Sequence, residues 1–355
     1  MTVNQPMESR ITRGVCRCLL AMALLVATMR PALADEPIFP QAELLTPAAE
    51  EAAARGVAYL VEHQLDDGRF NVTRSGGNVA VCGLAGMALL ASGSTPGRGP
   101  HGEAVDRCVD YLLANTDERG IILAPAATTG QTMYEHGFAA LFLCECYGMA
   151  ERPELRDRLA DAVRVIVNAQ NEEGGWRYWP EPRSADVSVT VCQVMTLRAA
   201  RNAGIAVPRD TMDRALAYVR KCQNDDGGFR YMLGEGDAAS ALPRSAAGVV
   251  ALYNAGVYQG DEIDRGLDYV AAFRPGSKGA DNVPYYFYAH YYAVQAMWHA
   301  GGERWREWYP AVRDELVDRQ LADGSWRDGI GSEYATAMAC IVLLTPNNYL
   351  PILQR

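Results

Sequence analysis

Gln170-Asn-Glu-Glu-Gly-Gly-Trp176 and Gln223-Asn-Asp-Asp-Gly-Gly-Phe229 are two versions of one seven-residue phrase. Looser versions stand at Gln64-Leu-Asp-Asp-Gly-Arg-Phe70 and Gln320-Leu-Ala-Asp-Gly-Ser-Trp326. The shared pattern is a Gln, an acidic stretch, a Gly and an aromatic residue. Gln170 and Gln223 are 53 residues apart; Gln64 to Gln170 is 106 and Gln223 to Gln320 is 97, each about two such steps. Self-similarity at a fixed period of roughly 20–50 residues marks a repeat architecture.

The flanks of the phrase say what repeats. Before it stands an amphipathic helix, as in Met212–Cys222, with apolar residues at Met212, Leu216, Val219 and Cys222; that spacing is helical. Asp and Gly in the phrase supply turn chemistry and end the helix. A second helix follows, apolar nearly all round and rich in small residues, as in Ser245–Gly256. It closes on Asn-Ala-Gly or His-Ala-Gly, at Asn202–Gly204, Asn254–Gly256 and His299–Gly301, a glycine stop. Two further units keep the helices without the phrase, one passing through Asn115–Gly120 and one through Pro275–Gly279. The sum is an all-α chain of six helix pairs with no strand pattern. A helix apolar all round must be buried, so the pairs are expected to close into a ring, an α/α toroid, with apolar helices inside and amphipathic ones outside. An open superhelix is the alternative.

Residues 1–34 read as a secretory signal peptide: Arg10, Arg13 and Arg17, a short apolar run from Cys18 to Met29, and Ala32-Leu-Ala34 as a cleavage site. Residues 35–50 read as an N-terminal extension and 51–355 as the repeat domain. An exported protein, periplasmic or extracellular, is therefore expected, with no stable membrane span because the apolar run is too short. A net charge of −10 argues against a nucleic-acid partner. Seven cysteines lie beyond residue 34, an odd number, and Cys82, Cys144, Cys192 and Cys340 fall in apolar helices, where free Cys acts as a small hydrophobe.

The phrase resembles the Gln-Trp repeat of the prenyltransferase/squalene oxidase repeat family, which includes squalene-hopene and oxidosqualene cyclases and protein prenyltransferase β subunits. The resemblance covers nearly the whole repeat domain and implies an α/α toroid of six helix pairs. It also implies a structural role for Gln64, Phe70, Gln170, Trp176, Gln223, Phe229, Gln320 and Trp326, as braces between neighbouring outer helices, and a hydrophobic or isoprenoid-type ligand in the central cavity.

In such a toroid the inner helices start at one end, so polar residues just after each turn converge on one cavity mouth. Those residues are Tyr134, Glu135 and His136; Asp186, Ser188 and Thr190; Arg244; Asp281 and Asn282; His290; and Glu333 and Tyr334. Helix starts there also offer N–H groups suited to an anion. Asp186-Val-Ser-Val-Thr190 is similar to the Asp-x-Asp-Asp-Thr of class II terpene cyclases, whose middle Asp protonates an alkene or epoxide; here that position is Ser188, and serine cannot protonate an alkene. The zinc site of the prenyltransferases corresponds to Asp186, Ser188 and His290; Ser188 replaces the thiolate, so no metal and no cofactor is expected. Tyr285, Tyr288, Tyr291 and Trp298 belong to an aromatic helix able to line a cavity. Asp186, His290, His136, Glu135 and Glu333 are the candidate acids and bases, with Asp186 and His290 expected to face one another. A divergent cyclase, or a polysaccharide lyase or hydrolase on a similar barrel, is the catalytic alternative to a binding role.

Overall fold

The computed structural model describes Met1 and residues 44–70, 77–125, 130–234, 238–280 and 282–354; the rest of the expected signal peptide and Asp281 lie outside the described residues. The compact unit Ala42–Arg355 is built of twelve α-helices in six pairs among those residues. The pairs are α1 (Pro47–His63) and α2 (Val79–Ala91); α3 (Gly102–Ala114) and α4 (Thr132–Cys146); α5 (Leu155–Ala169) and α6 (Val187–Asn202); α7 (Arg209–Lys221) and α8 (Leu242–Asn254); α9 (Asp261–Ala271) and α10 (Tyr286–Ala300); α11 (Gly302–Arg319) and α12 (Ser332–Leu344). The first helix begins inside the stretch read as an extension, because Thr46 caps it and Pro47 fits its first turn.

The even-numbered helices form the inner layer. Each packs on both of its inner neighbours, and α12 packs on α2, so the layer is a closed ring. The open superhelix is thereby excluded. Composition explains the two layers. In α2 every residue but one is buried, and the chain spends Ala and Gly there so that helices can approach closely. Gly86 faces the Phe142 ring of α4, and a Cβ at Gly83 would stand 2.7 Å from the Phe138 carbonyl oxygen. In the outer helix α7 only Thr211, Met212, Ala215, Tyr218 and Val219 are buried, a single apolar stripe.

The phrase ties one outer helix to the next. Gln170 Nε2 donates to the Gly174 carbonyl in its own turn at 2.8 Å and to the Thr211 carbonyl of α7 at 2.9 Å. Gln64 reaches Ala104 of α3 at 3.0 Å, Gln223 reaches Glu262 of α9 at 2.8 Å, and Gln320 reaches Ala52 of α1 at 2.7 Å. The last of these closes the ring between the two ends of the repeat domain. The first glycine of each phrase has positive φ, and a Cβ on Gly68, Gly174, Gly227 or Gly324 would overlap a backbone carbonyl of the neighbouring outer helix; glycine is required there on both counts. The aromatic residue is buried in every copy, and Trp176 and Trp326 also donate Nε1–H to the Ile166 and Leu316 carbonyls.

Thr116–Ile122 repeats this turn without Gln or an aromatic residue. Thr116 pairs with Ile122 as Gln64 pairs with Phe70, and Gly120 lies against Asp161 of α5. The Asp117 carboxylate accepts the Arg119 and Ile121 N–H groups, both at 2.9 Å.

Residues beyond α12 fold back under the ring. Leu350, Ile352 and Leu353 are buried; Ile352 N–H donates to Glu145 of α4 at 2.9 Å, and Trp298 Nε1–H of α10 donates to the Leu353 carbonyl at 3.1 Å. The seven cysteines from Cys82 to Cys340 are free and buried. Among the described residues no helix is long and apolar enough to cross a membrane.

Candidate functional site: the cavity at the inner-helix starts

A cavity of about 850 Å³ opens where the first turns of the six inner helices meet. Helix α2 contributes Ala80, Val81 and Leu84, and its cap Asn78; α4 contributes Tyr134, Glu135 and Phe138; α6 contributes Ser188; α8 contributes Pro243 and Arg244; α10 contributes Tyr288; and α12 contributes Tyr334. Tyr285, Ile330, Tyr178 and Tyr231 complete much of the rim and wall. Tyr285 and Ile330 are also exposed to solvent.

Seven of the residues singled out from sequence thus line the cavity: Tyr134, Glu135, Ser188, Arg244, Tyr285, Tyr288 and Tyr334. Several others among the described residues lie outside the cavity lining. His136 is fully buried and cross-links the ring: its Nδ1 accepts the Ile122 N–H at 3.1 Å and its Nε2–H donates to the Ala162 carbonyl at 3.1 Å. Burial pushes its pKa down to about 4. It does for the Thr116–Ile122 turn what Thr190 does for Trp176 and Thr336 for Trp326, whose N–H groups those hydroxyls accept at 3.1 Å. Thr190 is therefore a brace rather than a cavity residue.

His290 points toward the outer layer, with its ring 4.3 Å from Tyr286 and 5.5 Å from Trp308 of α11. Burial, with Arg319 adding to it, lowers its pKa to about 3. Glu333 sits in the first turn of α12 beside Tyr59 of α1, where it reinforces the burial-driven rise of that phenol's pKa. Tyr291 packs beneath the wall against Phe138, ring centroids 6.1 Å apart. Trp298 lies at the far end of α10, bound to the C-terminal segment.

Asp186 caps α6, its Oδ1 accepting the Val189 N–H at 2.8 Å, and is fully buried behind the cavity wall. Burial raises its carboxyl to about 6; the Val189 N–H and Arg177 pull the other way. Protonating a carbon calls for a strong acid, and this carboxyl is moved toward a weaker one. The expected meeting of Asp186 with His290 does not occur: Asp186 has Val189, Arg177 and Tyr231 around it, and His290 has Tyr286, Trp308 and Arg319. Among the described residues no group of three His, Cys, Asp or Glu side chains is placed to hold a metal ion.

Tyr178 and Tyr231 went unrecognised in the sequence. Each stands two residues beyond a phrase aromatic, Trp176 and Phe229, and this shared register is the signal that finds them. Their hydroxyls lie 2.6 Å apart, and the Arg177 guanidinium sits over both rings, 5.0 and 5.8 Å from their centroids. Deeper in, Tyr134 and Tyr288 meet edge to face at 6.5 Å, and the Tyr288 hydroxyl donates to the Ser188 carbonyl at 3.3 Å. The wall is apolar and aromatic with hydroxyls set into it.

Among solved structures, a single-residue variant of the type II terpene cyclase MstE from Scytonema, in complex with geranylgeranyl dihydroxybenzoate, superposes with a TM-score of 0.58 over 88% of this chain and 99% of that one, at 14% identity. The fold is a terpene cyclase-like α/α toroid. An inactive variant of the α-1,6-mannanase GH76A of Salegentibacter sp. HEL1_6, in complex with α-1,6-mannotetrose, superposes equally well, with a TM-score of 0.58 over 84% of this chain and 99% of that one, at 8% identity. Identities this low carry the fold and not the chemistry. In sequence, 180 residues, 50% of this chain, are 27% identical to drimenyl diphosphate synthase from Streptomyces showdoensis. The match covers 32% of that enzyme, so the chain spans about a third of the curated relative it matches. No family model matches the chain.

Proposed function

We propose that this protein is an exported binding protein that holds a hydrophobic, isoprenoid-type molecule in its central cavity without cyclising it. The observation that carries the reading is Ser188. It lies on the cavity wall at the position where the resembling cyclases keep the acid, and an alcohol cannot deliver a proton to carbon. The nearby Asp186 is buried outside the described cavity lining, its Oδ1 is taken by the α6 cap, and burial raises it to about 6, a weaker acid than protonation of carbon calls for. The apolar and aromatic wall, from Val81 and Leu84 to Phe138 and Tyr288, suits a branched hydrocarbon chain, since burying each CH₂ of a ligand is worth about 0.8 kcal/mol. The sequence match to a drimenyl diphosphate synthase and the fold likeness to a cyclase carrying a geranylgeranyl compound point the same way.

The fold likeness to a mannanase raises glycoside hydrolysis as the rival. That reaction uses a pair of carboxylates flanking the scissile bond. Among the described residues that line the cavity the carboxylate is Glu135; Glu333 and Asp186 are turned into the protein. The rival therefore lacks its second group on the described wall.

Native mass spectrometry of the protein purified from its own host, followed by lipid extraction, tests the proposal. An isoprenoid recovered at one per chain is expected. A co-purifying oligosaccharide would contradict it.

A further inference from the structure

The polar groups on the cavity wall bear on which kind of isoprenoid it takes. Two charged side chains line it among the described residues, Glu135 and Arg244, of opposite sign. Arg244 is directed at its own repeat: Nε donates to the Phe229 carbonyl at 3.2 Å and Nη2 to the Ala239 carbonyl at 2.5 Å.

The helix starts that ring the mouth would favour an anion by their dipoles, yet on three of the six, α2, α4 and α6, donors that would hold one are already engaged. Asn78 Oδ1 accepts the Ala80 and Val81 N–H groups of α2 at 2.9 and 3.2 Å. Met133 N–H of α4 donates to the Tyr178 carbonyl at 2.9 Å, and Val187 N–H of α6 donates to the Tyr231 carbonyl at 2.9 Å. Asp186 takes the Val189 N–H of α6 at 2.8 Å. The turns that carry Tyr178 and Tyr231 thus cover the starts of α4 and α6, two of the helix ends that sequence alone marks as anion sites. The described residues also offer no cluster for the divalent cation through which phosphates are commonly held.

Hydroxyls fill the place of charge. Tyr134, Tyr288 and Ser188 come together from α4, α10 and α6, and Tyr178 and Tyr231 form a second pair at 2.6 Å. Burial raises the pKa of Tyr134, Tyr288 and Tyr231, so these phenols stay neutral over the physiological range. Neutral hydroxyls exchange hydrogen bonds with another hydroxyl at little net cost, whereas moving a multiply charged diphosphate out of water without paired cations is strongly unfavourable.

Resting on the proposed isoprenoid-binding role, we infer that the cavity selects an uncharged, hydroxyl-bearing isoprenoid, a prenyl alcohol, over a prenyl diphosphate, with the Tyr134, Tyr288 and Ser188 cluster receiving its hydroxyl. The discrimination runs opposite to what the diphosphate in the name of the matched relative would suggest.

Equilibrium binding of farnesol, farnesyl diphosphate and the hydrocarbon squalane to the whole protein tests this, together with the same titrations on the double variant Tyr134→Phe, Tyr288→Phe. Farnesol is expected to bind at least about tenfold more tightly than the diphosphate. The double variant is expected to weaken farnesol by about tenfold, the scale of one or two lost hydrogen bonds, while leaving squalane unchanged. A diphosphate that binds as tightly as farnesol overturns the head-group inference while isoprenoid binding stands. Equal losses for farnesol and squalane in the variant also overturn it, since the tyrosines would then act only through packing. If none of the three ligands binds, the hydrophobic-ligand role fails and the inference fails with it.

Discussion

At Gly227 the backbone has φ +84°, and a Cβ would run into the Arg265 carbonyl of the next outer helix. Gly256 has a similar φ of +95° with nothing within 4 Å. The two separate strain from crowding. Gly256→Ala should cost about 1 kcal/mol from the left-handed backbone alone, and Gly227→Ala roughly 2–4 kcal/mol because the helices must also part; urea unfolding of both variants measures the difference. His136 gives a pH signature at the same scale. Its folded pKa, about 4, lies below its ordinary 6.5, so the unfolded chain binds more protons between those values and the stability His136 contributes is lost as pH falls through that window. The stability gap between the wild type and His136→Gln should therefore shrink between pH 7 and pH 5. The sequence made the phrase legible because Gln, Gly and the aromatic ring recur in four copies. It hid Thr116–Ile122, where Asp117 and His136 reach the same turn by different side chains, and so His136 read as a candidate base.

The C-terminal segment behaves as an element of the ring, although it follows the last repeat. It buries Leu350, Ile352 and Leu353 and covers Glu145. Removing residues 350–354 should cost several kcal/mol, since burying each such side chain is worth about 1.5–3 kcal/mol; the fall in unfolding midpoint reports it. Glu145 makes this docking sensitive to alkali. Burial raises its carboxyl from 4.5 to about 8, so the folded chain holds the proton more tightly and the associated stability is lost as pH rises through about 8. Glu145→Gln, whose amide oxygen can still accept the Ile352 N–H, should stabilise the protein more at pH 9 than at pH 6 in denaturant titrations. No repeat signal announces this segment; only the fold shows that its apolar residues have a surface to cover.

Over the whole molecule, closure depends on a seam joining α11 to α1. Gln320 spans it to the Ala52 carbonyl and accepts from Arg55 Nε at 3.0 Å, while Gly324 abuts the Arg55 backbone. Gln320→Ala should cost about 1–3 kcal/mol by removing its two hydrogen bonds to partly buried backbone carbonyls, and hydrogen exchange should quicken in α1 and α11 ahead of the other helices. The layers, the six pairs and the closure were readable because buried and half-buried helices carry different patterns. The cavity's position at the inner-helix starts follows from the same logic. Which side chains face inward did not, because His290, Glu333 and Thr190 share those starts but turn toward the outer helices, a rotation that depends on packing. In the proposed role the cavity holds an isoprenoid and leaves its double bonds alone. The direct test incubates the purified protein with geranylgeraniol or α-1,6-mannotetraose, then records native mass spectra and analyses the recovered ligand. A one-to-one complex with geranylgeraniol, recovered unchanged, and no complex with the sugar are expected. A cyclised terpene product, or a bound or cleaved oligosaccharide, would contradict it.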